Sequence, residues 1–202
     1  VPLRGNSISF FYHEKNKLAI FDLDGTLFDT KDVNYNAYKN AVKIAGIDVN
    51  IDYYNFCNLY NGKNYKDFLP KIIPNISEEQ MKIIHNLKKS IYIKYLDKAK
   101  KNNLLFLMIQ EIKKTFYISI VTNASKKNVE DILEKFAVKD LFDLLITQED
   151  VETPKPSAEG FLKAMNYFNI SKKDTIIFED SEIGIQAAIQ SGVDYLKVYG
   201  YN

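Results

Sequence analysis

The sequence is poor in the residues that build disulfides and guanidinium-based anion sites. Its 202 residues include one cysteine (Cys57), one arginine (Arg4) and no tryptophan. A single cysteine excludes an intramolecular disulfide and a zinc site made of several cysteines. With a single arginine near the start, an anion bound in the body of the chain must be held by lysine, hydroxyl or backbone N–H groups.

Charge and hydrophobicity argue against a nucleic-acid or membrane partner. The formal net charge is only +1, so no overall field attracts nucleic acid or an anionic membrane surface. The longest strongly apolar run, LLFLMI from Leu104, is too short to span a bilayer, and the first residues lack the apolar core of a signal peptide. We therefore expect a cytoplasmic monomer that acts on a small molecule, with no nucleic-acid or membrane partner.

Alternating segments predict a parallel sheet covered by helices. Five segments rich in β-branched and aromatic residues predict strands: KLAIFDLD, FYISIVTN, LFDLLITQ, DTIIFED and DYLKVYG. Helical patterns separate the last four, starting at Ser125, near Ser157 and at Ser181, and the last of them ends at Gly192. Fully apolar strands that alternate with helices are typical of an α/β fold with a parallel sheet.

The connection between the first two predicted strands is unusually long and helical. Ser77 and Gln80 form a capping box that predicts a long amphipathic helix through MKIIHNLKKSIYIKYLDKA. A crossover of about seventy residues exceeds what a βαβ unit needs, so it is either a decorative insertion or a helical lid. The predicted organisation is an N-terminal extension (1–17), a catalytic core (18–31 and 104–202) and a helical cap (32–103), with hinges near residues 28–31 and 101–104.

Acidic and phosphate-binding residue types follow the predicted strands, at the edge where parallel sheets bind ligands. They are Asp22 and Asp24, Thr122 and Asn123, Lys155, and Glu179 and Asp180. Converging carboxylates repel one another unless a cation lies among them, and a set of oxygen ligands alone favours Mg²⁺. We therefore predict a magnesium site formed by Asp22, Asp24, Glu179 and Asp180.

The spacing of the first acid pair suits phosphoryl transfer. The Asp22 carboxylate can attack phosphorus, and Asp24, two residues further along an extended strand, can protonate the leaving alkoxide. Thr122, Asn123 and Lys155 can hold the phosphoryl oxygens. Each motif alone also fits a simpler role as an Asp-Gly turn, a helix cap or a surface lysine.

Four stretches of the sequence resemble, in order, the motifs of the haloacid-dehalogenase superfamily. They are FDLDGTLFDT, VTNAS, TPKPSAEGF and IIFEDSEIGIQAAIQSG. The resemblance covers about residues 18–199 and is closest to the phosphatase branch with a small helical cap, near the β-phosphoglucomutase-like subfamily. It implies a Rossmann-like core, Mg²⁺ and an aspartyl-phosphate intermediate, with Asp22 as nucleophile and Asp24 as general acid/base whose carbonyl also binds the metal. The other residues it implies are Thr122 and Lys155 for phosphate, and Asp180 and Glu179 for the metal, Glu179 either directly or through water.

Departures from the motifs narrow the expected reaction. Dehalogenases and phosphonatases of the superfamily lack the second acid, so Asp24 argues against both activities. Mutases of the subfamily carry histidine and arginine where Asn34 and Tyr65 stand here. This makes a Mg²⁺-dependent phosphatase of a small phosphorylated metabolite, such as a sugar phosphate, the main prediction. The alternatives are a sugar phosphomutase and a non-enzymatic, receiver-like domain that responds to phosphate.

The cap loop is the predicted specificity element. Its candidate residues are Gly62, Lys63, Asn64 and Lys66. Without the mutase arginine, a distal phosphate would depend on the two lysines of this loop, which bind it less directionally. His85 is interpreted as lying outside the site, and the cap lysines mainly as a solvated face.

Overall fold

A parallel sheet forms the centre of the structure. The structure is a computed structural model, and it describes residues 15–200. Most of the predicted N-terminal extension lies outside this range. The described strands are β1 (Lys17–Phe21), β2 (Phe28–Asp29), β3 (Lys100–Lys101), β4 (Phe116–Val121), β5 (Leu144–Ile146), β6 (Thr175–Glu179) and β7 (Asp194–Lys197). The sheet has the order β5-β4-β1-β6-β7, and all its pairs are parallel. The predicted α/β class is therefore confirmed.

Each strand is shorter than its predicted segment, and β5 shows why. The segment LFDLLITQ begins in a 3-10 turn (Lys139–Leu141), and the strand starts only at Leu144. Asp143 determines this start because its backbone N–H donates to Ile118 O and its carboxylate accepts the Ile118 N–H at 2.8 Å. In β1, by contrast, all residues from Leu18 to Phe21 are fully buried, as expected for the central strand.

Helices cover both faces of the sheet and fill the long connection. They are α1 (Lys31–Ile44), α2 (Tyr53–Asn55), α3 (Tyr65–Ile72), α4 (Glu78–Ile91), α5 (Asn103–Ile112), α6 (Lys126–Lys135), α7 (Glu159–Phe168) and α8 (Glu182–Ser191). Ser125 and Ser181 cap α6 and α8 as predicted, and Gly192 ends α8 with a φ of 71°. Helix α7 begins two residues after Ser157, whose hydroxyl accepts the Glu159 N–H from outside the helix.

The capping box at Ser77 and Gln80 is confirmed, but the helix it opens ends earlier than predicted. The α-helix stops at Ile91 and a 3-10 helix (Tyr92–Lys98) follows. The inner residues of α4 pack in a cluster with α1 and α3, whereas Tyr92 and Leu96 pack against the sheet cluster. The change of helix type accompanies this change of packing partner.

Strands β2 and β3 pair antiparallel where the chain leaves and re-enters the sheet region. Phe28 pairs with Lys101, and Asp29 with Lys100. The pair overlaps the two predicted hinge positions. Within residues 15–200, no helix combines the length and the apolar composition needed to cross a membrane.

Candidate active site

Three acids meet at the carboxyl ends of β1 and β6. Asp22 follows β1, Glu179 ends β6 and Asp180 follows it, and their carboxylate oxygens lie within 4.8 Å of one another. Burial, with repulsion from Glu179 and Asp180, raises the pKa of Asp22 well above its usual value. Burial and repulsion from Glu179 likewise raise the pKa of Asp180 to about 6. The pocket therefore concentrates negative charge that favours a cation.

Lys155 lies between two of these acids. Its Nζ is 2.7 Å from Asp22 Oδ1 and 2.5 Å from Glu179 Oε1, and all three side chains are buried. Burial alone would lower the pKa of Lys155, but attraction to the two carboxylates outweighs it and raises that pKa to about 12. Lys155 thus stays charged and holds the Asp22 carboxylate in place.

Two glycines allow the acids to pack this closely. A Cβ on Gly184 would lie 1.8 Å from Glu179 Oε1, so α8 can approach the acid only without a side chain there. Gly25 has a φ of +98°, and a Cβ at this position would lie 2.2 Å from Asp180 Oδ2. Glu179 is further held through Oε2, which accepts the Ser181 N–H and hydroxyl at 3.0 Å each.

The Asp24 carboxylate stands apart from the group of three acids. Its Oδ1 accepts hydrogen bonds from the Thr30 hydroxyl and, at 3.4 Å, from Asn34 Nδ2. Among the described residues, the acids within ligating reach of one another are Asp22, Glu179 and Asp180. Any contribution of Asp24 to a metal would therefore come from its backbone carbonyl, as the resemblance implied.

Thr122 and Asn123 follow β4 and play different parts. Thr122 is buried, and its hydroxyl accepts the Ala124 N–H at 3.0 Å. The Asn123 side chain makes two hydrogen bonds with the Lys155 backbone. Its Nδ2 donates to the Lys155 carbonyl at 3.1 Å, and its Oδ1 accepts the Lys155 N–H at 2.9 Å. The predicted phosphate contact of Asn123 would thus have to come from its backbone N–H, because its side chain positions Lys155.

A cavity of about 450 Å³ is lined both by residues that follow the strands of the sheet and by residues of the helical insertion. The lining from the sheet region includes Asp22, Asp24, Thr122, Asn123 and Lys155, and the lining from the insertion includes Gly62, Lys63 and Asn64. Lys66 is not among the residues that line the cavity, and its part in a substrate-facing loop stays a prediction. Its side chain is exposed in the first turn of α3, beyond the loop, while its N–H donates to Asn64 Oδ1 at 3.0 Å.

Residues 19–198 match the family model described as haloacid dehalogenase-like hydrolase. The chain belongs to this family. The resemblance drawn from the four motifs and the prediction of a hydrolase are confirmed.

Relatives of this haloacid dehalogenase-like hydrolase include two named phosphatases. A phosphorylated carbohydrates phosphatase of Thermotoga maritima is 24% identical over 190 residues, covering 90% of this chain and 83% of the relative. A fructose-1-phosphate phosphatase of Escherichia coli is 20% identical over 195 residues, covering 92% and 98%. The crystal structure of CbbY from Rhodobacter sphaeroides in complex with phosphate is similar in fold, with a TM-score of 0.80, 22% identity and coverage of 92% and 87%.

Lys88 lines the cavity but was not predicted as a site residue from the sequence. Lys88 of α4 is 9% exposed, and its Nζ lies 3.3 Å from Asn128 Oδ1 and 4.5 Å from the centre of the Tyr92 ring. No described carboxylate lies within ion-pair distance of it, and burial lowers its pKa to about 8. The signal was present, because Lys88 continues the buried stripe of Met81, Ile84 and Ile91 at spacings of three and four.

His85 also lines the cavity, contrary to its interpretation as a bystander. Its ring stacks on Tyr65 with centres 4.1 Å apart, and its Nδ1 lies 3.2 Å from the Tyr38 hydroxyl. Burial and the nearby Lys88 lower the pKa of His85 to about 4. The imidazole is therefore neutral near pH 7. The insertion also lines the cavity with aromatic side chains: Tyr38, Phe56, Tyr60, Tyr65 and Phe68.

Proposed function

We propose that the chain is a Mg²⁺-dependent phosphatase that hydrolyses a small phosphorylated metabolite through an aspartyl phosphate on Asp22. The observation that carries the proposal is the convergence of three carboxylates within 4.8 Å beside a buried lysine. Family membership and the activities in the relatives' names support it.

The donor set fits Mg²⁺. All available ligands are oxygens, and the acids are crowded. Burial, with repulsion from the neighbouring acids, raises the pKa values of Asp22 and Asp180, and a bound divalent cation would favour their charged forms. Asp22, Asp180 and the Asp24 carbonyl would hold the ion, with Glu179 directly or through water. The bound ion would offset the charge of the incoming phosphoryl group and of the nucleophile.

The chain's own residues then divide the reaction into two steps. The Asp22 carboxylate attacks phosphorus, the P–O ester bond breaks, and its electron pair stays on the leaving oxygen, which takes a proton from the Asp24 carboxyl group. In the second step water attacks the aspartyl phosphate and gives its proton to the Asp24 carboxylate, releasing phosphate and restoring Asp22. Lys155 and backbone N–H groups after Thr122 bind the phosphoryl oxygens.

In this proposal residues 32–103 act as a cap that closes over the cavity, excludes bulk water and selects the leaving group. The β2–β3 pair would be the hinge region. The names of the two relatives favour a sugar phosphate as substrate. Asn34 and Tyr65 replace the residues that mutases use, which favours hydrolysis over intramolecular transfer.

The test is phosphate release from a panel of sugar phosphates, nucleotides and phosphorylated acids, with and without Mg²⁺. We expect Mg²⁺-dependent turnover of at least one ester, and a loss of about 10³-fold or more in Asp22→Asn with an unchanged circular dichroism spectrum. A requirement for a bisphosphate primer would instead indicate a mutase. A phosphorylated protein stable for minutes without turnover would indicate a receiver-like domain.

A further inference from the structure

Asn34 lies at the centre of a buried polar network around the proposed general acid. It belongs to the first turn of α1, is 8% exposed and lines the cavity. Its Nδ2 lies 3.1 Å from Asn61 Oδ1, 3.2 Å from Thr30 Oγ1 and 3.4 Å from Asp24 Oδ1. One amide group therefore contacts the acid, its hydroxyl partner and a residue of the cap at once.

Asn61 connects this network to the loop opposite the acids. It follows the π-helical turn Phe56–Tyr60 and precedes Gly62, whose φ of +80° turns the chain into the cavity wall. Asn61 and its successors Gly62, Lys63 and Asn64 all line the cavity. A leaving group bound against this loop would therefore contact the same segment that carries the Asn34 partner.

An amide has only two N–H hydrogens, whereas Asn34 Nδ2 faces three acceptors. It cannot donate fully to all of them, so a shift of Asn61 changes how Asn34 is shared between Thr30 and Asp24. Because Asn34 and Thr30 are themselves buried, a hydrogen bond lost between them is not simply replaced by water.

We propose that Asn34 and Asn61 form a positioning pair that ties the Asp24 side chain to the cap loop. The pair makes protonation of the leaving oxygen depend on what the loop contacts. This inference rests on the proposed phosphatase function and adds to it a specific route from leaving-group recognition to proton delivery.

The test compares two esters that differ in their need for a proton. An alkyl phosphate such as a sugar phosphate leaves as an alkoxide and takes the Asp24 proton, whereas p-nitrophenyl phosphate leaves as a stabilised phenolate that needs little protonation. For Asn34→Ala we expect the ratio of kcat on the sugar phosphate to kcat on the nitrophenyl ester to fall at least about tenfold, with KM changing less than kcat. Asn61→Ala should lower the same ratio.

A double-mutant cycle shows whether the two residues act together. If Asn61 works through Asn34, the Asn34→Ala/Asn61→Ala variant should lower the ratio no further than Asn34→Ala alone. Asn36→Ala is the matched control, because Asn36 lies on the same helix and, among the described residues, its side chain donates to the Asp32 backbone carbonyl alone. This control should leave the ratio at the wild-type value.

The outcomes separate this inference from the function on which it rests. A wild-type protein that hydrolyses neither the nitrophenyl ester nor any ester of the panel overturns the phosphatase proposal itself. If the wild type hydrolyses both and Asn34→Ala slows both equally, the function stands and the positioning role is wrong. If Asn34→Ala does not fold, Asn61→Ala decides: an unchanged ratio refutes the pairing, because Asn61 is only half-buried in a loop.

Discussion

Replacing Gly184 by alanine should disrupt the acidic site, because the new side chain would collide with the Glu179 carboxylate. The new Cβ would lie 1.8 Å from Glu179 Oε1 and 1.9 Å from its Cδ, whereas non-bonded contacts need about 3.5 Å. The carboxylate must therefore move by more than about 1 Å, which breaks its bonds to Lys155 and Ser181. Lys155 would keep only Asp22 as its partner.

The expected magnitude follows from two opposing effects. Separating a buried ion pair costs roughly 3–5 kcal/mol, while alanine in place of glycine within a helix gains up to about 1 kcal/mol. Gly184→Ala should therefore lower the free energy of unfolding by about 2–4 kcal/mol. Mg²⁺ affinity and turnover should fall as well, because the displaced acid belongs to the proposed ligand set.

Urea denaturation with EDTA measures the stability change, and calorimetric titration with MgCl₂ measures the affinity. Gly200→Ala is the control, since a Cβ at Gly200 meets nothing within 4 Å. If Gly184→Ala binds Mg²⁺ normally and has a free energy of unfolding within about 0.5 kcal/mol of the wild type, the close packing of Glu179 against α8 is refuted.

Three further perturbations test other parts of the site. Lys155→Met should lower turnover by at least about 10²-fold, because Asp22 and Glu179 lose the cation between them; steady-state kinetics measures this. Lys88→Met should raise the free energy of unfolding, measured by urea denaturation, by about 1–3 kcal/mol, because it removes a buried cation that has no carboxylate partner among the described residues. Folding lowers the pKa of His85 from 6.5 to about 4, so between these two values the unfolded chain binds a proton that the folded chain does not. The free energy of unfolding should therefore fall by at most about 3 kcal/mol as the pH drops from 7 to 4. In His85→Phe, urea denaturation at several pH values should show a smaller fall over the same range.

The sheet and its acidic edge were predictable because their signals are local. An apolar run buried on both faces identifies a central strand, and whatever follows it must lie at the strand's carboxyl end. This is why Asp22 and Asp180, far apart along the chain, could be placed together from the sequence alone. The serine caps of α6 and α8 are equally local, since each side chain bonds the N–H of a residue three positions on.

The features that sequence reasoning missed depend on tertiary packing. Whether Lys88 is buried or solvated depends on which face of α4 meets Tyr38 and Tyr92, and helical spacing alone could have suggested but not settled this. No local pattern reveals that the Asn123 side chain bonds the backbone of Lys155, which lies 32 residues further along the chain. Lys66 was predicted as part of the cap loop, whereas α3 begins one residue before it, at Tyr65.

The most direct measurement is a rapid acid quench of the protein with Mg²⁺ and a phosphorus-labelled substrate, followed by peptide mapping. The account predicts a transient label, labile to hydroxylamine, on the peptide that contains Asp22, and no label in Asp22→Asn. Turnover without a labelled protein at any quench time, or a label on another residue, would contradict the account.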